Sequence, residues 1–156
     1  MDQRQVRPER THWRDEALSL RHREYGWNVP AVDLDFPLIE YDHAEPVALI
    51  EHKNEHAHVD LGSSGIVAIG KAGDRAKLPL YVIRYADDFG WWHIMPANGV
   101  ARAQMAKVAQ PFVVDELTYV TFLYRLRKRT PPREVLLHVC ELRRMEPPKW
   151  VTDLTA

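Results

Sequence analysis

An α/β protein with a mixed central sheet flanked by helices is the fold class this sequence predicts, and three observations predict it. Two β-like runs lie inside Val32 to Lys53, on either side of a polar turn, Asp42-His43-Ala44-Glu45. A further strand, Leu80 to Tyr85 (LYVIRY), follows a segment of helical pattern. Helical periodicity also precedes the first run and dominates the last forty or so residues. Helix, hairpin, helix, strand, strand, helix, helix is the expected order, around a mixed sheet of four or more strands.

Taken in chain order, residues 1–8 read as a flexible N-terminus. From about Glu9 to Tyr25 the pattern is helical, with Trp13, Ala17 and Leu20 along one side and Gly26 as a stop. The first strand is expected within Ala31 to Tyr41 and the second up to Lys53. Val59 to Lys77 reads as a helix, with Ser63, Ser64, Gly65 and Gly70 lowering its regularity. Trp91 to Met95 is expected to pair antiparallel beside Leu80 to Tyr85. Successive residues on a strand point to opposite faces, so one of Trp91 and Trp92 should lie in the core and the other at the rim. Pro96-Ala97-Asn98-Gly99 is read as closing that segment. Helices are then expected over Asp115 to Arg129 and Arg133 to Met145, with Pro147-Pro148-Lys149-Trp150 ending the fold. One domain over 9–150 and a tail over 151–156 complete the expected organisation.

Composition excludes little. The chain has 156 residues, of which 46% are hydrophobic and 28% charged, as in ordinary globular proteins. No apolar run is long enough to span a membrane, and the polar start does not read as a secretory signal. Cys140 is the single cysteine, which excludes an internal disulfide and leaves the cytoplasm as the expected compartment. With a net charge of −1, any nucleic-acid contact must draw on local positive charge. The densest basic cluster is Arg125-Leu126-Arg127-Lys128-Arg129 with Arg133. Arg125, Arg129 and Arg133 are therefore candidate phosphate contacts, with Arg21 and Arg23 of the first helix as a further set. His56-x-His58 has the look of a zinc motif, but no second ligand pair follows at suitable spacing.

The chemistry concentrates in the hairpin. Asp33 and Asp35 share one strand face, as do Glu51 and Lys53. A three- or five-residue loop centred on His43 sets Asp35 opposite Glu51 and Asp33 opposite Lys53. An even loop would split the two pairs across the sheet unless a bulge intervened, with Pro37 the expected site. The apolar run Val47-Ala48-Leu49-Ile50 continues up to Glu51, which implies a strand buried on both faces. A carboxylate in such surroundings needs a cation.

Asp33-Leu34-Asp35-Phe36 before the turn and Pro46-Val47-Ala48-Leu49-Ile50-Glu51-His52-Lys53 after it resemble the core hairpin of the PD-(D/E)xK nuclease superfamily. The resemblance covers roughly Thr11 to Asp87. It implies a restriction-endonuclease-like αβββαβ core and metal-dependent hydrolysis of phosphodiester bonds, in DNA first; an endonuclease is expected ahead of an exonuclease, with nickase and junction resolvase left open. It further implies Asp35 or Asp33, Glu51 and the backbone carbonyl of His52 as ligands of Mg2+, with Mn2+ able to substitute. Lys53 would orient the attacking water, and Glu16 or Glu24 could supply a first-helix acid. The usual Pro-Asp pair is absent, Val32 preceding Asp33 and Leu34 preceding Asp35, so both aspartates stay open. A homodimer is also left open. The alternative reading is a non-catalytic nuclease-like domain that binds nucleic acid or protein. A small interaction domain held by an ion-pair network of the same residues is the third.

Overall fold

In the computed structural model, two compact units divide the chain at Asp33/Leu34, a boundary that falls inside the single domain expected over 9–150. The structure describes Arg21 and residues 34–154. Arg21 is helical and exposed. Glu16, Glu24, Arg23 and Asp33 lie outside the described residues.

Residues 34–154 form an α/β fold on a five-stranded mixed open sheet, with strands in the order in which the chain makes them. β1 (Phe36–Glu40) and β2 (Glu45–Asn54) are antiparallel. Helix α1 (Ser64–Ala76) then carries the chain over to β3 (Leu80–Tyr85), which pairs parallel to β2. A parallel pair requires such a crossover, because a tight turn can only reverse the chain. β4 (Trp92–Pro96) and β5 (Phe112–Val114) add antiparallel. Helices α2 (Gly99–Gln104), α3 (Glu116–Leu126), α4 (Arg133–Leu142) and α5 (Lys149–Thr152) complete the described chain.

Strand alternation sorts the core into two layers. Tyr81 and Ile83 of β3 join Ile50, Trp92 and Ile94 on one face, against Ala101, Met105 and Tyr119 from α2, the segment after it and α3. Leu80 and Val82 face the other way, onto Ile66 and Ile69 of α1. LYVIRY is apolar at four successive positions because both of its faces are covered. Trp92 is buried and Trp91 only partly so, as the alternation requires.

Several expected boundaries move. The helix expected over 59–77 begins only at Ser64, after turns through Asp60–Ser63, and ends where Lys77 adopts φ 58° and the Leu78 N–H donates to the Gly73 carbonyl at 2.8 Å. Gly73 is required there: an added Cβ would sit 2.8 Å from Asn98 Nδ2 and 2.9 Å from the Leu78 carbonyl. The helix expected to reach Arg129 stops at Leu126. Lys128 turns to φ 56°, and the Arg129 N–H closes back on the Tyr124 carbonyl at 3.0 Å. Arg125 and Arg129 therefore do not share a helical face. Pro96 to Gly99 does not close a segment. Asn98, 2% exposed, caps α2 by accepting from the Ala101 N–H at 3.0 Å. The tail expected from 151 begins inside the fold, because Val151 is fully buried against Leu117, Leu136, Val139 and Cys140.

Candidate functional site

The hairpin reaches its register by a different route from the odd loop expected around His43. Glu40 pairs with Glu45 across a four-residue connection, and Ala44 takes φ 53° within it. The offset shifts between Leu38, opposite Ala48, and Ile39, opposite Pro46, so Val47 stands unpaired as a bulge. The bulge is on β2, not at Pro37. Beyond it Pro37 faces Leu49 and Phe36 faces Ile50. Continued by one residue, that register sets Asp35 across from Glu51. An even loop and one extra residue thus give the alignment an odd loop would have given.

Asp35 is exposed, and its Oδ2 accepts a hydrogen bond from the His52 N–H at 2.8 Å. Glu51 is only 7% exposed and shares the α1 side of the sheet with Leu49 and Lys53. Lys53 Nζ donates to Glu51 Oε1 at 2.6 Å. The second oxygen, Oε2, is buried and has no hydrogen-bond partner among the described residues. Leaving such an acceptor bare costs on the order of 1–3 kcal/mol, and more when it is charged. Burial of one neighbouring Ile50 contributes about 1.5–3 kcal/mol, so the fold can carry the cost without removing it. A carboxylate held this way, with Lys53 on one oxygen, offers the other as a hard oxygen donor.

The His52 side chain lies on the opposite face. Its ring meets Phe36 edge-on at 4.9 Å and shares a 2.9 Å hydrogen bond between Nε2 and the Tyr119 hydroxyl. Burial holds its pKa below the ordinary histidine value, against the opposing pull of Asp35. Any part His52 plays beside Glu51 therefore falls to its backbone.

Two groups in this region were not singled out from the sequence. On the α1 side, Lys53 is paired in register with Arg84 of β3, and Arg84 with His93 of β4. The signal was present: Arg84 is the one charge inside the apolar run LYVIRY. The second group is Glu55, His56 and Asp87, whose ligand atoms lie within 4.8 Å of one another and could hold a metal ion. These residues already satisfy one another, His56 Nε2 lying 3.1 Å from Asp87 Oδ2 while the Asp87 N–H donates to Glu55 Oε1 at 2.8 Å. His58, the other half of the apparent zinc motif, is exposed and outside the group.

The basic cluster is divided between two tasks. Arg129 Nε donates to Glu40 Oε2 at 2.9 Å and its Nη2 to Oε1 at 2.7 Å, and it also reaches Asp42. Arg127 Nε reaches the same carboxylate at 3.3 Å. The Arg129 hydrogen bonds lower the Glu40 pKa to about 2, against the opposing effect of burial. Among the described residues, Arg125 is exposed with no ion pair, and Arg133 opens α4 with its Nε buried and unpartnered.

No family model, curated protein or solved structure matches this chain. What stands is the class: an α/β protein on a five-stranded mixed open sheet, with a carboxylate, a lysine and an arginine gathered on its α1 side. No helix among the described residues is long and apolar enough to cross a membrane.

Proposed function

We propose that this chain is a divalent-metal-dependent nuclease that hydrolyses phosphodiester bonds in nucleic acid, DNA first, from a site built on Asp35, Glu51 and Lys53. The observation that carries the reading is the buried Oε2 of Glu51, without a partner among the described residues, with Lys53 on the other oxygen. The register that brings Asp35 alongside, and the run of hairpin, crossover helix and parallel strand, agree with a restriction-endonuclease-like core.

The donor set fits a hard cation: carboxylate oxygens from Asp35 and Glu51, with Asp33 and the His52 carbonyl as further ligands that the nuclease resemblance implies. A bound Mg2+ or Mn2+ would lower the pKa of a water molecule and offset charge developing on the phosphoryl oxygens. Asp35 and Glu51 would fix the ion at the mouth of the hairpin. Lys53, whose side chain is partly exposed, would leave Glu51 in part to hold the attacking water or a phosphate oxygen. Endonucleolytic cleavage is the expected mode, and a homodimer is compatible with it.

A specific observation favours the non-catalytic alternative: Lys53 already neutralises one Glu51 oxygen, and Asp35 is already hydrogen-bonded to the His52 N–H. Incubation of the protein with single-stranded, duplex, branched and supercoiled DNA, in Mg2+, Mn2+ or chelator, separates the two. Cleavage that requires the metal supports the nuclease. DNA binding without cleavage on every substrate supports the binding domain.

A further inference from the structure

We infer that Lys53, Arg84 and His93 form a phosphodiester-binding row across β2, β3 and β4, in which Arg84 is the principal anion contact. The inference rests on the proposed nuclease reading for its place in catalysis, though not for its binding chemistry. The three residues are successive cross-strand partners, Lys53 with Arg84 and Arg84 with His93. They lie one step along the sheet from Glu51, which pairs with Val82. Like charges directly opposite destabilise a sheet, and with Lys53 already on Glu51 the charge left for a bound anion to offset is that of Arg84.

Arg84 is the informative member. It is half-buried, and among the described residues no carboxylate lies within ion-pairing distance of it. Its Nη2 reaches the Glu55 carbonyl, while its Nε is buried with no partner among the described residues. A guanidinium withdrawn from water without a counter-charge is an expensive state, and its planar fork suits a phosphate better than a point charge does. His93 completes the row as a neutral donor, because burial and the adjacent Arg84 hold its pKa below the ordinary value. Lys53 connects the row to Glu51, so a phosphate on Arg84 would have its neighbouring oxygen directed toward the carboxylates.

The test measures the salt dependence of binding to a short labelled DNA duplex, with Ca2+ replacing Mg2+, together with the rate of single-turnover cleavage in Mn2+. Arg84→Gln should flatten the slope of log K against log salt by about 0.9, one phosphate contact, and slow cleavage by about tenfold or more. Lys71→Gln, exposed on α1, should leave both unchanged. Arg84→Lys should keep the slope and lose affinity, because the charge survives and the fork does not. If Arg84→Gln does not fold, an Arg84→Lys variant with parental affinity and rate overturns the inference on its own. A parent that cuts with Mn2+, beside an Arg84→Gln variant matching it in slope and rate, overturns the row and leaves the nuclease standing. A parent that cuts nothing, beside a flattened slope in Arg84→Gln, overturns the nuclease and leaves the row. A parent that does not bind the duplex at all overturns the row.

Discussion

Asp35 and Glu51 both lie at the open end of the hairpin, where the His52 N–H, next in sequence to Glu51, donates to Asp35 Oδ2 at 2.8 Å. That hydrogen bond closes the hairpin one residue beyond its last ladder pair, Phe36 with Ile50. Asp35 and Glu51 differ sharply in environment, one exposed and one buried, which sets different expectations for their replacement.

Asp35→Asn should weaken Mn2+ binding more than Asp33→Asn does, since the His52 N–H holds the Asp35 carboxylate at the end of the hairpin that carries Glu51. The loss of an ionised ligand should cost about tenfold or more in metal affinity. Parallel calorimetric titrations of the two variants decide it. Weaker binding in Asp33→Asn would mean that Asp35 serves only to close the hairpin.

The Glu40–Arg129 pair predicts an acid-labile fold. Glu40 has its pKa depressed from 4.5 to about 2, so the unfolded chain binds more protons between those values. Its contribution is complete above the unfolded pKa and is lost as pH falls toward 2. Melting temperature should therefore drop more steeply with acid in the parent than in Glu40→Gln. Equal slopes for the two proteins between pH about 5 and 2 would remove the pair from the account.

The same pair separates the arginines by function. Arg125→Ala should flatten the salt slope of DNA binding by about 0.9 with little change in melting temperature. Arg129→Ala should lower the melting temperature and leave the slope near the parent's, because its guanidinium already holds Glu40 and Asp42. The reverse pattern would make Arg129 the phosphate contact.

Asn98 makes a prediction about the fold alone. Its Oδ1 accepts from the Leu80 N–H at 2.8 Å and the Ala101 N–H at 3.0 Å, and its Nδ2 donates to the Leu78 carbonyl at 2.8 Å. Asn98→Ala leaves these groups buried and unpaired, a loss of about 3 kcal/mol in denaturant unfolding. A loss below about 1 kcal/mol would mean that water or a shifted backbone replaces the side chain.

Much of this architecture was legible because local signals and tertiary demands agreed. Leu80 to Ile83 is apolar without interruption and is covered on both faces. Glu51 and Lys53 lie where the end of an apolar run placed them. What could not be read was set by distant partners. Whether the hairpin loop was odd or even was ambiguous from spacing alone, and the bulge at Val47 resolves it through pairing that no local pattern records. Helix α2 has only six residues, and its Asn98 cap looks like any turn asparagine until Leu80 and Leu78 close around it. β5 has three residues, too few to show alternation. Arg129 looked free because Glu40, its partner, lies 89 residues earlier in the chain.

The most direct test of the central claim is the melting temperature of the parent and of Glu51→Gln, each with and without saturating Mn2+. A ligand at a hundred times its dissociation constant stabilises the folded state by about 2.7 kcal/mol. For a chain of this size that raises the parent's melting temperature by about 5–10 °C. Glu51→Gln should melt within a few degrees of the parent in chelator, since the neutral isostere gives up the Lys53 ion pair but also removes a buried charge. Mn2+ should then leave its melting temperature unmoved. A parent that Mn2+ does not shift, or a Glu51→Gln variant that Mn2+ shifts equally, would contradict the assignment of Glu51 as the ligand on which the site is built.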